Sequence, residues 1–133
     1  MITIPAKAVL RLREALYSQL GDVAEELASA DRRPGREVHD EWSEAVARFD
    51  RARALLDEIG WTESDPERDA EIDLDRHRQV IVAALSDQLE AERYLMADKG
   101  RAAESQRQRA YGRALIIECF AESVGLELDR EET

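Results

Sequence analysis

The chain has 133 residues and a formal net charge of −11, from 30 acidic and 19 basic side chains. So acidic a surface excludes duplex nucleic acid as the main partner, because holding phosphates needs a net basic face. The single Cys119 leaves no internal disulfide and no cysteine cluster for zinc; no apolar run nears the ~18 residues that span a membrane and no signal-peptide core opens the chain, so one cytoplasmic domain is expected.

Few aromatics and abundant Ala, Leu, Glu and Arg suit long helices. The first is predicted from Pro5, which fits a first helical turn, to Ala30. Val9, Leu12, Leu16, Leu20, Val23, Leu27 and Ala30 form its apolar stripe, and Leu10, Tyr17, Ala24 and Ala28 form a narrower second one. Asp31-Arg32-Arg33-Pro34-Gly35 is a turn, since Pro and Gly together stop a helix.

The second helix is predicted from Arg36 to Ile59. Val38, Trp42, Ala45, Phe49, Ala52, Leu56 and Ile59 follow spacings of four and three, a heptad seam that must be buried against other helices. Gly60 reads as a left-handed cap, with Trp61 folding back on the last turn. At about 1.5 Å per residue, each of these two helices is some 35–39 Å long.

Thr62 to Asp73 is the one long linker, rich in carboxylates and containing Pro66. Asp73 or Asp75 can cap a third helix, with Ile72 as a hydrophobic staple. That helix is predicted to run to about Asp98, facing inward through Leu74, Ile81, Val82, Leu85, Leu89 and Met96. Gly100 ends it. A fourth helix runs from about Ala102 to Val124, and Gly125 stops it. No stretch alternates with period two, so no strand is predicted. The expected fold is all-α, an antiparallel up-down-up-down four-helix bundle over residues 1–125. Residues 126–133 form an acidic, frayed tail.

In that topology the two short turns share one end. Arg32, Arg33, Arg36, Lys99 and Arg101 would gather there beside two helix N-termini and could hold a phosphate or carboxylate. The linker acids would occupy the other end. The plain alternative is a set of solvated turns whose arginines pair with Asp31, Glu37 and Asp98.

Metal chemistry has little to build on. Bundles hold di-metal sites with Glu-x-x-His pairs, and this chain has none; its two histidines, His39 and His77, fall near different helix starts and read as capping or solvated groups. All-α nucleotide pyrophosphohydrolases hold magnesium with Glu-x-x-Glu followed on the next helix by Glu-x-x-Asp. Glu41-Trp42-Ser43-Glu44 is similar to the first half, but no second half follows, so the chain is not assigned to them. No catalytic triad is visible, and no metal or cofactor is implied.

Two acids interrupt apolar faces. Glu92 lies among Leu85, Leu89 and Met96, and Glu118 among Tyr111, Ala114, Leu115 and Ala121. Buried acids need partners. Folding the third helix on the fourth about Gly100 sets Glu92 near Arg107 or Arg109, and Glu118 near Arg78 and Val82. Cys119 reads as a small buried hydrophobe.

The fourth helix carries apolar residues around nearly its whole circumference. A single bundle cannot cover them all, so a homodimer is expected, with Ile116 and Phe120 as contact candidates on the arc farthest from Glu118. The function these features suggest is a non-enzymatic interaction or regulatory module that self-associates and binds a protein partner, without nucleic acid or membrane. The alternative is a metal-dependent (magnesium or manganese) all-α hydrolase, or a ligand-binding bundle that uses helix carboxylates.

Overall fold

The structure, a computed structural model, describes residues 1–30, 36–61, 68–97 and 103–128, with the side chains of 29, 30, 36–41 and 103 outside what it describes. Its elements are β1 (Ile2–Ile4), α1 (Ala6–Ala30), α2 (Arg36–Ile59), β2 (Ala70–Ile72), α3 (Leu74–Ala97) and α4 (Ala103–Ser123). Four helices form an all-α bundle, with α1 laid along α2 and against α3 and α4. None of the helices is long and apolar enough, among the described residues, to cross a membrane.

The helix ends at Pro5, Gly60, Asp73 and Gly125 each have a physical cause. The carbonyl of Pro5 accepts the first α1 hydrogen bond, from Val9 N at 2.9 Å. One of the unpaired N–H groups at this end, Ala6 N, donates to Asp69 Oδ1 at 2.9 Å, so the segment before β2 caps α1 from a distance. Asp73 Oδ1 accepts from Arg76 N at the start of α3. Gly60, at φ 95°, turns the chain out of α2, a conformation glycine adopts without a Cβ penalty. Trp61 folds back to donate Nε1–H to Asp57 Oδ1 at 2.7 Å. At the end of α4, Leu126 N donates to Ala121 O and Gly125 N to Glu122 O, the paired bonds of a Schellman motif, with Gly125 at φ 72°.

The expectation of no strands is corrected. β1 and β2 pair antiparallel, with Ile2 opposite Ile72, Thr3 opposite Glu71 and Ile4 opposite Ala70. Three residues per strand are too few to stand out as an alternating pattern, yet the alternation is there: Ile4 and Ile72 face inward and are fully buried, while Thr3 and Glu71 face out. The ladder ties the start of α1 to the start of α3.

The core runs through both helical hairpins. Leu12 and Leu16 of α1, Leu55 and Leu56 of α2, Ile81, Leu85 and Leu89 of α3 and Ile117 of α4 are buried to 2% exposure or less, together with Ile4 and Ile72. Burying each such side chain contributes about 1.5–3 kcal/mol. Along α1 and α2 the partners run in opposite directions: Arg13 meets Gly60, and Arg48 meets Glu26 at 2.7 Å.

Two sequence stripes and one boundary are corrected. On α2 the seam holds at Ala45, Ala52, Leu56 and Ile59 and takes in Leu55, but Trp42 is exposed and Phe49 half-buried, with the Arg53 guanidinium 5.9 Å from its ring centre. On α1 the second stripe is only partly used: Leu10 is half-buried and Tyr17, though exposed, sets its ring 6.3 Å from that of Trp61, while Ala24 and Ala28 are exposed. At the C-terminal end, Leu126 is buried and Leu128 packs on the core, so the ordered fold extends past residue 125.

Candidate functional site

α4 presents three different faces, and they account for most of the chemistry that the described residues offer. Ala110, Ala114, Ile117, Phe120 and Ala121 turn inward and are buried. Tyr111, Leu115 and Cys119, spaced four apart on the opposite side, are exposed, Tyr111 by 58% and Leu115 by 46%. The third face, with Arg109, Gly112, Arg113 and Ile116, looks onto α1 across a groove of about 730 Å³.

The groove is built on ion pairs. Its α1 wall carries Lys7, Leu10, Arg11 and Glu14, and Glu92 of α3 reaches in between the helices. Glu92 is 2% exposed. Its Oε1 accepts from Arg113 Nε at 2.7 Å and from Gln88 Nε2 at 3.0 Å. Its Oε2 is buried without a donor. The hydrogen bond to Glu92 is the main reason the Arg113 guanidinium holds its proton more tightly than usual; partial burial opposes this, and the charges of Glu92 and Glu14 add to it. Arg113 therefore stays charged at any pH the fold meets. Across the groove Arg11 pairs with Glu14 at 3.0 Å. Lys7 and Arg109 make no ion pair with any described residue.

This geometry relocates several of the sequence assignments. Glu92 is a buried, paired acid, but its partner is Arg113, one turn beyond Arg109, which stands exposed at the groove rim. Glu118 is not buried. It is about half-exposed and pairs with Arg93 at 3.1 Å, while Arg78 pairs within its own helix with Asp75 at 3.3 Å. Phe120, 5% exposed, belongs to the chain's own core and is not free for a second subunit, and Ile116 is half-buried in the groove wall. Cys119 is exposed, not a buried hydrophobe. The cause is common to all: α4 is apolar all round, so sequence periodicity alone could not say which arc turns inward.

The proposed anion site at the basic turns, Arg32, Arg33, Lys99 and Arg101 with the Arg36 side chain, lies outside the described residues, as does the His39 side chain. His77 differs from the solvated cap expected of it. It is buried on the inner stripe of α3, and its Nε2 sits 2.5 Å from Glu58 Oε2 without an aligned hydrogen bond. Arg76 also approaches Glu58, at 3.5 Å, so one α2 carboxylate faces two α3 bases. Among the described residues no three of His, Cys, Asp and Glu come together to hold a metal.

What the sequence reading missed is the groove. Lys7, Leu10, Arg11 and Glu14 fall on one α1 face at spacings of three and one, and Arg109, Gly112, Arg113 and Ile116 repeat the pattern on α4. That shared spacing was the available signal. Compared with protein-family models, curated proteins and solved structures, the chain matches none.

Proposed function

We propose that the protein is a small interaction module that self-associates through the outer face of α4 and, in that form, meets a protein partner with its acidic surface. The observation that carries the reading is the exposed row of Tyr111, Leu115 and Cys119 on a helix whose opposite side is already buried in the core. Aromatic and aliphatic side chains in a row on a helix are what a second helix covers, and two-fold symmetry is the commonest way to close such a contact. Leu115, at the centre of the row, would lie at or near the two-fold axis. The net charge of −11 favours a basic partner for the assembled form.

Light scattering at tens of micromolar protein tests this. The expected mass is twice that of the 15.1 kDa chain, and Leu115→Glu should return it to a monomer with unchanged helicity. A wild-type monomer overturns the reading. A dimer that survives Leu115→Glu moves the interface elsewhere. A thermal-shift screen with magnesium and manganese separates the module from a metal-dependent hydrolase; no shift is expected.

A further inference from the structure

We propose that the groove between α1 and α4 binds a small organic anion that has an apolar body and a hydrogen-bond donor. The inference does not rest on self-association, since it uses the face of α4 turned away from Tyr111 and Leu115.

Charge is the first argument. On a chain of net charge −11, this groove gathers four cations against two acids. Arg11 is neutralised by Glu14 and Arg113 by Glu92. Lys7 on one wall and Arg109 on the other are left without a described counter-charge. Two uncompensated cations facing one space attract an anion, and the guanidinium offers a fork of donors suited to carboxylate, phosphate or sulfonate oxygens.

The second argument is an orphaned acceptor. Glu92 lines the groove, is 2% exposed, and has one oxygen accepting hydrogen bonds from both Arg113 and Gln88 and the other without a donor. An unsatisfied buried acceptor is costly. Glu92 lines the groove wall, so an N–H or O–H on a bound molecule reaches Oε2 once a side chain over it moves aside, while the fixed Arg113 holds the carboxylate in place.

Shape is the third. Leu10 and Ile116 supply apolar wall, and Gly112 opens the α4 side: a Cβ built there meets no atom within 4 Å. No neighbouring chain segment therefore requires the glycine, although glycine in a helix interior costs about 1 kcal/mol relative to alanine. The volume of about 730 Å³ lies within the range of small-molecule sites.

Anilinonaphthalene sulfonate is a direct probe, because it joins a sulfonate, two apolar ring systems and one N–H. Fluorescence titration of the full chain should show one saturable dye site. The double variant Lys7→Glu/Arg109→Glu should weaken binding at least about tenfold; both side chains are exposed, so the core is untouched. Gly112→Leu should fill the groove and abolish binding while circular dichroism and melting temperature hold. Phenylnaphthylamine, which keeps the rings and the N–H but lacks the sulfonate, should bind at least about tenfold more weakly. Inorganic phosphate should not displace the dye. Absence of dye binding to the wild type overturns the proposal, as does binding unchanged in the double variant, equal binding of the neutral amine, or displacement by phosphate alone. Leu115→Glu should leave the dye affinity unchanged; loss of the dye there places it on the outer face of α4 and equally overturns the site.

Discussion

Arg13 of α1 closes the end of α2 at Gly60: its Nε donates to the Gly60 carbonyl at 2.8 Å, and its Nη2 to the Ile59 carbonyl at 3.3 Å. The last carbonyls of a helix have no partner within it, and a cation also suits the negative end of the helix dipole. Arg13 is almost fully buried, so the bond is shielded from water. Arg13→Met keeps the aliphatic stem but leaves two carbonyls without this donor. The expected loss is about 2–3 kcal/mol, the scale of hydrogen bonds to a charged group, read by urea denaturation. A change under about 0.5 kcal/mol, typical of surface substitutions, would show that the contact does not stabilise the α1–α2 hairpin.

The pair Glu92–Arg113 calls for a double-mutant cycle. Removing one partner of a buried ion pair strands the other charge, whereas replacing both with apolar groups is often close to neutral. Arg113→Met alone should therefore cost on the order of 3 kcal/mol. Glu92→Leu combined with Arg113→Met should cost distinctly less than Arg113→Met alone. Additive losses in urea melts would count against a buried pair and point to a solvated one.

These two contacts also mark how far the sequence could be read. Helix ends were legible because Pro5, Gly60, Asp73 and Gly125 act locally through φ, a missing N–H or a side-chain cap. Glu92 was legible as a buried acid because it sits on the apolar stripe of α3. Its partner was not, because arginines at 107, 109 and 113 offer several positions along α4, and the rotation and slide of α4 on α3 decide which one reaches. The same unknown rotation misplaced Phe120, Glu118 and Cys119. Arg13 also interrupts an apolar face, between Val9, Leu10, Leu16 and Tyr17 one turn to either side, but nothing local to it names the end of the neighbouring hairpin arm as its partner.

pH separates an arginine from a lysine at position 113. Arg113 is raised by its partner, so its contribution is fully present below the ordinary arginine range and is lost only as pH rises through the still higher folded value. A lysine there starts from about 10.4. The stability difference between wild type and Arg113→Lys should therefore grow from about pH 10 to about pH 12, as pH rises through the lysine range, with wild type the more stable. A difference that stays constant over this window would mean that the charge at position 113 does not contribute through Glu92.

The short ladder is part of the core, not a loose start to the chain. Ile4 is fully buried, and it lies opposite Ala70, beside the contact from Asp69 to Ala6. Ile4→Ala should cost about 3 kcal/mol, within the range for truncating a buried isoleucine. Thr3→Ala, on the exposed side of the same strand, should change stability by less than about 0.5 kcal/mol. Equal small effects in urea melts would show that β1 adds no buried surface of consequence.

Cys119 gives an independent measure of self-association. Its thiol is exposed in the single chain and lies one turn from Leu115 on the outer face of α4. A second copy covering that face must also cover the thiol, and burial slows its reaction with a disulfide reagent by limiting access of the reagent. The labelling rate per chain should fall as protein concentration rises through the dimerisation range. Leu115→Glu should label at the fast, dilute-protein rate at every concentration, because the thiol then stays in solvent. Arg93→Ala, which removes the ion pair between α3 and Glu118 of α4 but leaves the apolar row intact, should retain the concentration dependence. A wild-type rate that is fast and independent of concentration would place Cys119 in solvent throughout, and the outer face of α4 would not be where two copies meet.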